Sequence, residues 1–81
     1  METRVAAIGI IVEDMDSVEK LNAVLHDYGP YIIGRMGIPY KEKDVRIISV
    51  VLDAPVDTIN ALTGKIGNID GVNAKTVYSN V

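Results

Sequence analysis

Two nearly unbroken aliphatic runs constrain this chain more than anything else in it: Val5-Ala-Ala-Ile-Gly-Ile-Ile-Val12 and Val45-Arg-Ile-Ile-Ser-Val-Val-Leu52. Both are rich in branched residues, which fit the pleated surface of a sheet. Neither shows the polar–apolar alternation of a half-wet strand, so each suits a central strand with both faces covered. Two further segments are weaker strands. Tyr31 to Ile38 is interrupted by Gly34 and Gly37, and Val72 to Ser79 has a rough period of two, as an edge strand does. The polar stretch Pro39 to Asp44 predicts a hairpin between the second and third strands.

Two helices complete the pattern. Asp16 is read as the cap of the first, with Glu19 three residues on as the partner of a capping box. Val18, Leu21, Leu25 and Tyr28 then follow on one face, with Val24 beside them, and Gly29-Pro30 ends the helix. The second helix is expected from about Asp57, carrying Ile59, Leu62 and Ile66 and ending at Gly67 in a left-handed cap. Asp70-Gly71 is the turn into the last strand. A shift of 41 positions lays Asp16 on Asp57, Val18 on Ile59, Leu21 on Leu62 and Leu25 on Ile66. Two such β-α-β halves predict an α+β, ferredoxin-like βαββαβ domain over residues 1–81, with the first and third strands central.

Composition narrows the function. The 81 residues suffice for one core, and 48% are hydrophobic, with no Cys, Trp or Phe. Without cysteine there is no disulfide scaffold, thiolate zinc site, Cys-ligated iron–sulfur cluster or cysteine nucleophile. A net charge of −3 and central strands without aromatics argue against direct binding of nucleic acid. Glu13-Asp14-Met15-Asp16 follows the first strand, where phosphate chemistry would want an anion-binding glycine turn. The longest apolar run is too short to span a membrane. With Glu2 and no small-residue cleavage site, a signal peptide is not expected, and the reading is a soluble, cytoplasmic protein.

No catalytic constellation emerges. His26 is the single imidazole and sits near a helix C-terminus, where the dipole favours it. Glu13, Asp14 and Asp16 are read as a capping and solvated acidic loop, and no metal or cofactor is expected. Gly34-Arg35-Met36-Gly37-Ile38-Pro39-Tyr40 is the least ordinary stretch. It is either a place where a ligand or second backbone approaches, with Arg35 as the contact for an anion or carboxylate, or an irregular edge strand whose Arg discourages aggregation. Thr63-Gly64-Lys65 closes the second helix rather than opening one, so it is not a phosphate loop. A glycine inside a helix costs about 1 kcal/mol relative to Ala, which packing or a ligand must offset.

Three stretches together resemble a known family. Ile33-Gly-Arg-Met-Gly-Ile-Pro-Tyr40, Ile48 to Leu52, and Ala61-Leu-Thr-Gly-Lys-Ile-Gly67 with Gly71-Val72 are similar to the iron-only hydrogenase system regulators. The resemblance implies small proteins encoded near genes for maturation of the iron-only hydrogenase. It also implies a fold close to ACT domains and to the C-terminal domain of nickel-responsive repressors. Those repressors bind metal through His and Cys, which this chain lacks as a cluster, so nickel sensing does not carry over. Glu13-Asp14-Met15 likewise replaces the glycine that amino-acid-binding ACT domains place after the first strand. The expected function is a non-enzymatic regulatory module with a ligand contact at Gly34, Arg35, Met36, Gly37, Thr63, Gly64 and Lys65. The alternative is a protein-interaction or assembly factor for hydrogenase maturation with no small-molecule ligand; under either reading a hydrogenase-maturation or transcription partner protein is expected.

The same pattern predicts self-association. Two helices cover one face of a four-stranded sheet. Ile8, Ile10 and Val12 with Ile48, Val50 and Leu52 are assigned to that face. Val5, Ala7, Gly9 and Ile11 with Ile47, Ser49 and Val51 then form an open apolar face. A homo-oligomer is expected, a symmetric dimer or a tetramer built by sheet stacking.

Overall fold

The computed structural model describes residues 2–81. It comprises β1 (Arg4–Val12), α1 (Val18–Asp27), β2 (Ile32–Tyr40), β3 (Val45–Ala54), α2 (Val56–Gly67) and β4 (Val72–Tyr78), with short 3-10 turns at Met15–Ser17, Gly29–Tyr31 and Lys41–Lys43. The strands form one antiparallel sheet in the order β2-β3-β1-β4, so the two aliphatic runs are the central strands. This is the α+β, ferredoxin-like arrangement that the repeat predicts.

The core lies between the sheet and the helices. Ile8, Ile10, Val12, Val50 and Leu52 are fully buried with Leu21, Ile59, Leu62 and Ile66, and Ile48 is nearly so. Register follows from that alternation: Ile8 pairs with Val50 and Ile10 with Ile48, so a slip of one residue would turn the core outward. Gly9 pairs with Ser49, Ala7 with Val51 and Ile11 with Ile47 on the opposite face. That face carries no helix. Ile11 and Ile47 are 37% and 39% exposed there, whereas Val5, Ala7, Ser49 and Val51 are half-buried.

The helix ends differ from expectation. Asp14, not Asp16, supplies the first cap: its carboxylate accepts from the Asp16 amide at 3.0 Å and starts the 3-10 turn that leads into α1. α2 begins at Val56 behind Pro55, which makes no side-chain cap, and it ends at Asn68 in right-handed geometry, so Gly67 is not a left-handed cap. Among the described residues, the left-handed ones are Asp44, at the β2–β3 hairpin, and Gly71.

Gly71 is where the two halves are fastened. At φ 72° it has a conformation that disfavours a side chain, and a Cβ there would lie 2.5 Å from that of Asp14. Around it the Glu13 amide donates to the Gly71 carbonyl at 2.7 Å, and the buried Ser17 hydroxyl donates to the Asp70 carbonyl at 2.6 Å. The loop after β1 is thereby tied to the turn before β4.

Candidate functional site

β2 is an edge strand bonded only to β3, and almost all of it is exposed. A bulge between Ile32 and Gly34 resets its register, after which Gly34 pairs with Val51, Arg35 with Val50, Met36 with Ser49 and Gly37 with Ile48. Alternation therefore divides the expected contact set. Gly34 and Met36 share the open face with Ser49 and Val51. Arg35 and Gly37 share the helix-covered face with Ile48 and Val50.

On that second face a hollow of about 200 Å³ is lined by Arg35, Gly37, Ile38, Pro39, Arg46 and Ile48. Gly37 keeps it open: a Cβ there would meet the Ile48 side chain at 3.9 Å, an ordinary contact that would raise the floor. The Arg35 guanidinium donates to the Asn22 amide oxygen of α1 at 2.7 Å, which steadies one fork of the side chain over the strand edge. Arg46 pairs with Pro39, two rows from Gly37, and closes the other end. Arg46 was not singled out by sequence reasoning. The available signal is its place on the core-facing phase of β3, in step with Ile48, Val50 and Leu52, where an arginine is unexpected.

Thr63, Gly64 and Lys65 lie elsewhere. α2 is anchored to β4, the opposite edge of the sheet, by a hydroxyl–hydroxyl bond of 2.7 Å between Thr63 and Thr76 and by a bond from Tyr78 to Asn60. Three strand spacings, about 14 Å, separate β4 from β2. The fold therefore does not bring these residues to the Arg35 hollow. Thr63 also donates back to the Ile59 carbonyl at 2.9 Å, and the Lys65 ammonium stands 5.1 Å from the centre of the Tyr28 ring, a cation–π contact across the helix pair. A Cβ on Gly64 would meet nothing within 4 Å, so close packing does not explain that glycine.

His26 is exposed in the last turn of α1. Among the described residues, no group of three or more His, Cys, Asp or Glu side chains is placed to hold a metal ion. A larger depression of about 630 Å³ opens between Glu2–Arg4, Pro55–Asp57 and Asn80–Val81, and it mixes one arginine with two acids rather than converging on one charge. Among the described residues, no helix is long and apolar enough to cross a membrane.

Comparison with known proteins bears on this fold directly. Residues 4–76 match the TM1266-like family, described as "Iron-only hydrogenase system regulator, putative". The chain belongs to that family. Among solved structures, the uncharacterized protein TM1266 from Thermotoga maritima is 38% identical, with a TM-score of 0.91 over 95% of this chain and 98% of that one. A formyltetrahydrofolate deformylase from Pseudomonas putida KT2440 has a TM-score of 0.68 at 12% identity, covering 95% of this chain and 29% of that one. LarC2, the C-terminal domain of a cyclometallase involved in synthesis of the NPN cofactor of lactate racemase, has a TM-score of 0.52 at 19% identity, over 96% and 57% of the chains. The last two share only the fold with this member of the TM1266-like family. No curated protein sequence matches the chain.

Proposed function

We propose that this chain is a non-enzymatic, cytoplasmic regulatory module of the iron-only hydrogenase system, working as an oligomer and responding to a small ligand at the β2 edge. Family membership supports the regulatory role. The observation that carries the ligand is Arg35, held by Asn22 beside a hollow that Gly37 leaves open. On this reading an effect on transcription passes through a partner protein.

Oligomerisation rests on the helix-free face. Four strands of up to nine or ten residues give it roughly 500–600 Å² per copy. A face-to-face pair hides about 1,000–1,200 Å², at the small end of stable interfaces. Met36 at 62% exposure, Ile38 at 50% and Val77 at 71% extend the apolar set beyond Val5, Ala7, Ile11, Ile47 and Val51.

A second reading, an assembly factor without a small-molecule ligand, is favoured by Ile33, which is 63% exposed on an unpaired strand edge. A thermal-shift panel of metals, amino acids, nucleotides and organic acids separates the two, because a ligand of the native state raises the melting point by mass action. Stabilisation by one class supports the ligand reading. Silence across the panel, with retention of a maturation protein in a pull-down from a hydrogenase-expressing host, supports the second.

A further inference from the structure

We propose that the hollow between Arg35 and Arg46 is a site for a small aliphatic dicarboxylate, an inference that rests on the ligand reading above. The chain has three arginines and a net charge of −3, yet two of the three line this one hollow, and its six lining residues include no carboxylate. A guanidinium presents a planar fork that matches a carboxylate, and a fork already held on one side loses less freedom on binding. Arg35 is held in that way by Asn22.

Spacing selects two anionic groups rather than one. Arg35 pairs with Val50, whereas Arg46 pairs with Pro39, so the two arginines enter from rows four residues apart along the strands. That is about 13 Å between backbones, and both side chains line the one hollow. Between them lie Gly37, Ile38, Pro39 and Ile48, which offer carbon and no charge. The arrangement is cation, apolar floor, cation, and its complement is carboxylate, short methylene chain, carboxylate.

Size limits the chain length. About 200 Å³ is the liquid volume of roughly seven waters, below the range of pockets that enclose drug-sized ligands. A four-carbon diacid matches this volume. An adjoining hollow of about 170 Å³ shares Pro39 and Arg46 and brings Lys41 together with Asp44.

Succinate is the probe, titrated from 0.1 to 10 mM against the full chain by calorimetry and thermal shift, with butyrate and inorganic phosphate in parallel. Binding below 1 mM is expected, with the melting point rising by several degrees at the top of the series. Butyrate and phosphate should bind at least tenfold more weakly. Arg46→Gln and Arg35→Gln should each weaken succinate at least tenfold. Gly37→Val should abolish binding while the chain stays folded, since its side chain enters the hollow at an exposed strand edge that accepts branched residues. Equal succinate affinity in wild type and Arg46→Gln overturns the site, and so does phosphate binding as tightly as succinate. If another compound class stabilises the chain and Arg46→Gln is indifferent to it, the dicarboxylate site fails and the ligand reading stands. If nothing in the wider panel binds, both fail.

Discussion

The Cβ of Asp14 stands where a side chain on Gly71 would have to go: a Cβ added to Gly71 would sit 2.5 Å from it and 3.1 Å from the Asp14 amide nitrogen. This contact joins the capping loop of the first β-α-β half to the turn that opens the last strand, and it coincides with a backbone φ of 72°. Gly71→Ala therefore combines left-handed strain of about 1–2 kcal/mol with a clash against the Asp14 Cβ. We expect a loss of about 2–4 kcal/mol in urea unfolding, with an unchanged slope. A loss below 0.5 kcal/mol would show that the two loops separate easily.

Gly64 should behave oppositely. It lies inside α2, and a Cβ there would point into open space. Gly64→Ala should stabilise the chain by about 0.5–1 kcal/mol through helix propensity and a less flexible unfolded state. Its melting curve checks this. A stabilised variant that has lost a ligand or partner response would mean that the glycine serves binding.

The architecture was legible because its strongest signals are periodic. Val5–Val12 and Val45–Leu52 became the central strands, and the buried set Ile8, Ile10, Val12, Ile48, Val50 and Leu52 falls on the expected face. The helix ends were less legible, since capping turns on local φ and ψ. Asp14, Asp16 and Asp57 are all competent caps by type, and a 3-10 turn gave the role to Asp14 while Pro55 displaced Asp57. The geometry of the candidate site was half legible. Arg35 and Gly37 stood out, but a bulge at Ile32/Gly34 decides which neighbours share their face, and the partner Arg46 comes from another strand. Likeness of sequence could not reveal that Thr63–Lys65 belongs to the other edge.

Arg35 contributes little to the core, because it lies on an exposed edge and its hydrogen bond is to a surface amide. Arg35→Ala should change stability by less than about 0.5 kcal/mol. Circular dichroism and urea unfolding test this independently of any ligand. An unfolded variant would make Arg35 structural and remove it from the proposed site.

The open face makes a prediction about register as well as oligomeric state. Ile11 and Ile47 form a ridge in one row, Gly9 and Ser49 a low row in the middle, and Ala7 and Val51 border a hollow of about 230 Å³ with Val5 and Val77. A two-fold axis lying across the strands at the Gly9–Ser49 row sets the ridge of each copy over the hollow of the other. An axis along the strands would set ridge on ridge. Wild type should therefore scatter light as a dimer at micromolar concentration rather than at 8.8 kDa, and Val51→Lys should shift it toward monomer. Because the chain has no cysteine, single replacements report the register cleanly. Gly9→Cys should link to itself across the axis with a short bis-methanethiosulfonate reagent. Ile11→Cys should link to Ala7→Cys in mixed dimers, and poorly to itself. Efficient Ile11→Cys self-linking would place the axis along the strands, and a monomer at every concentration would leave the apolar face for a different protein.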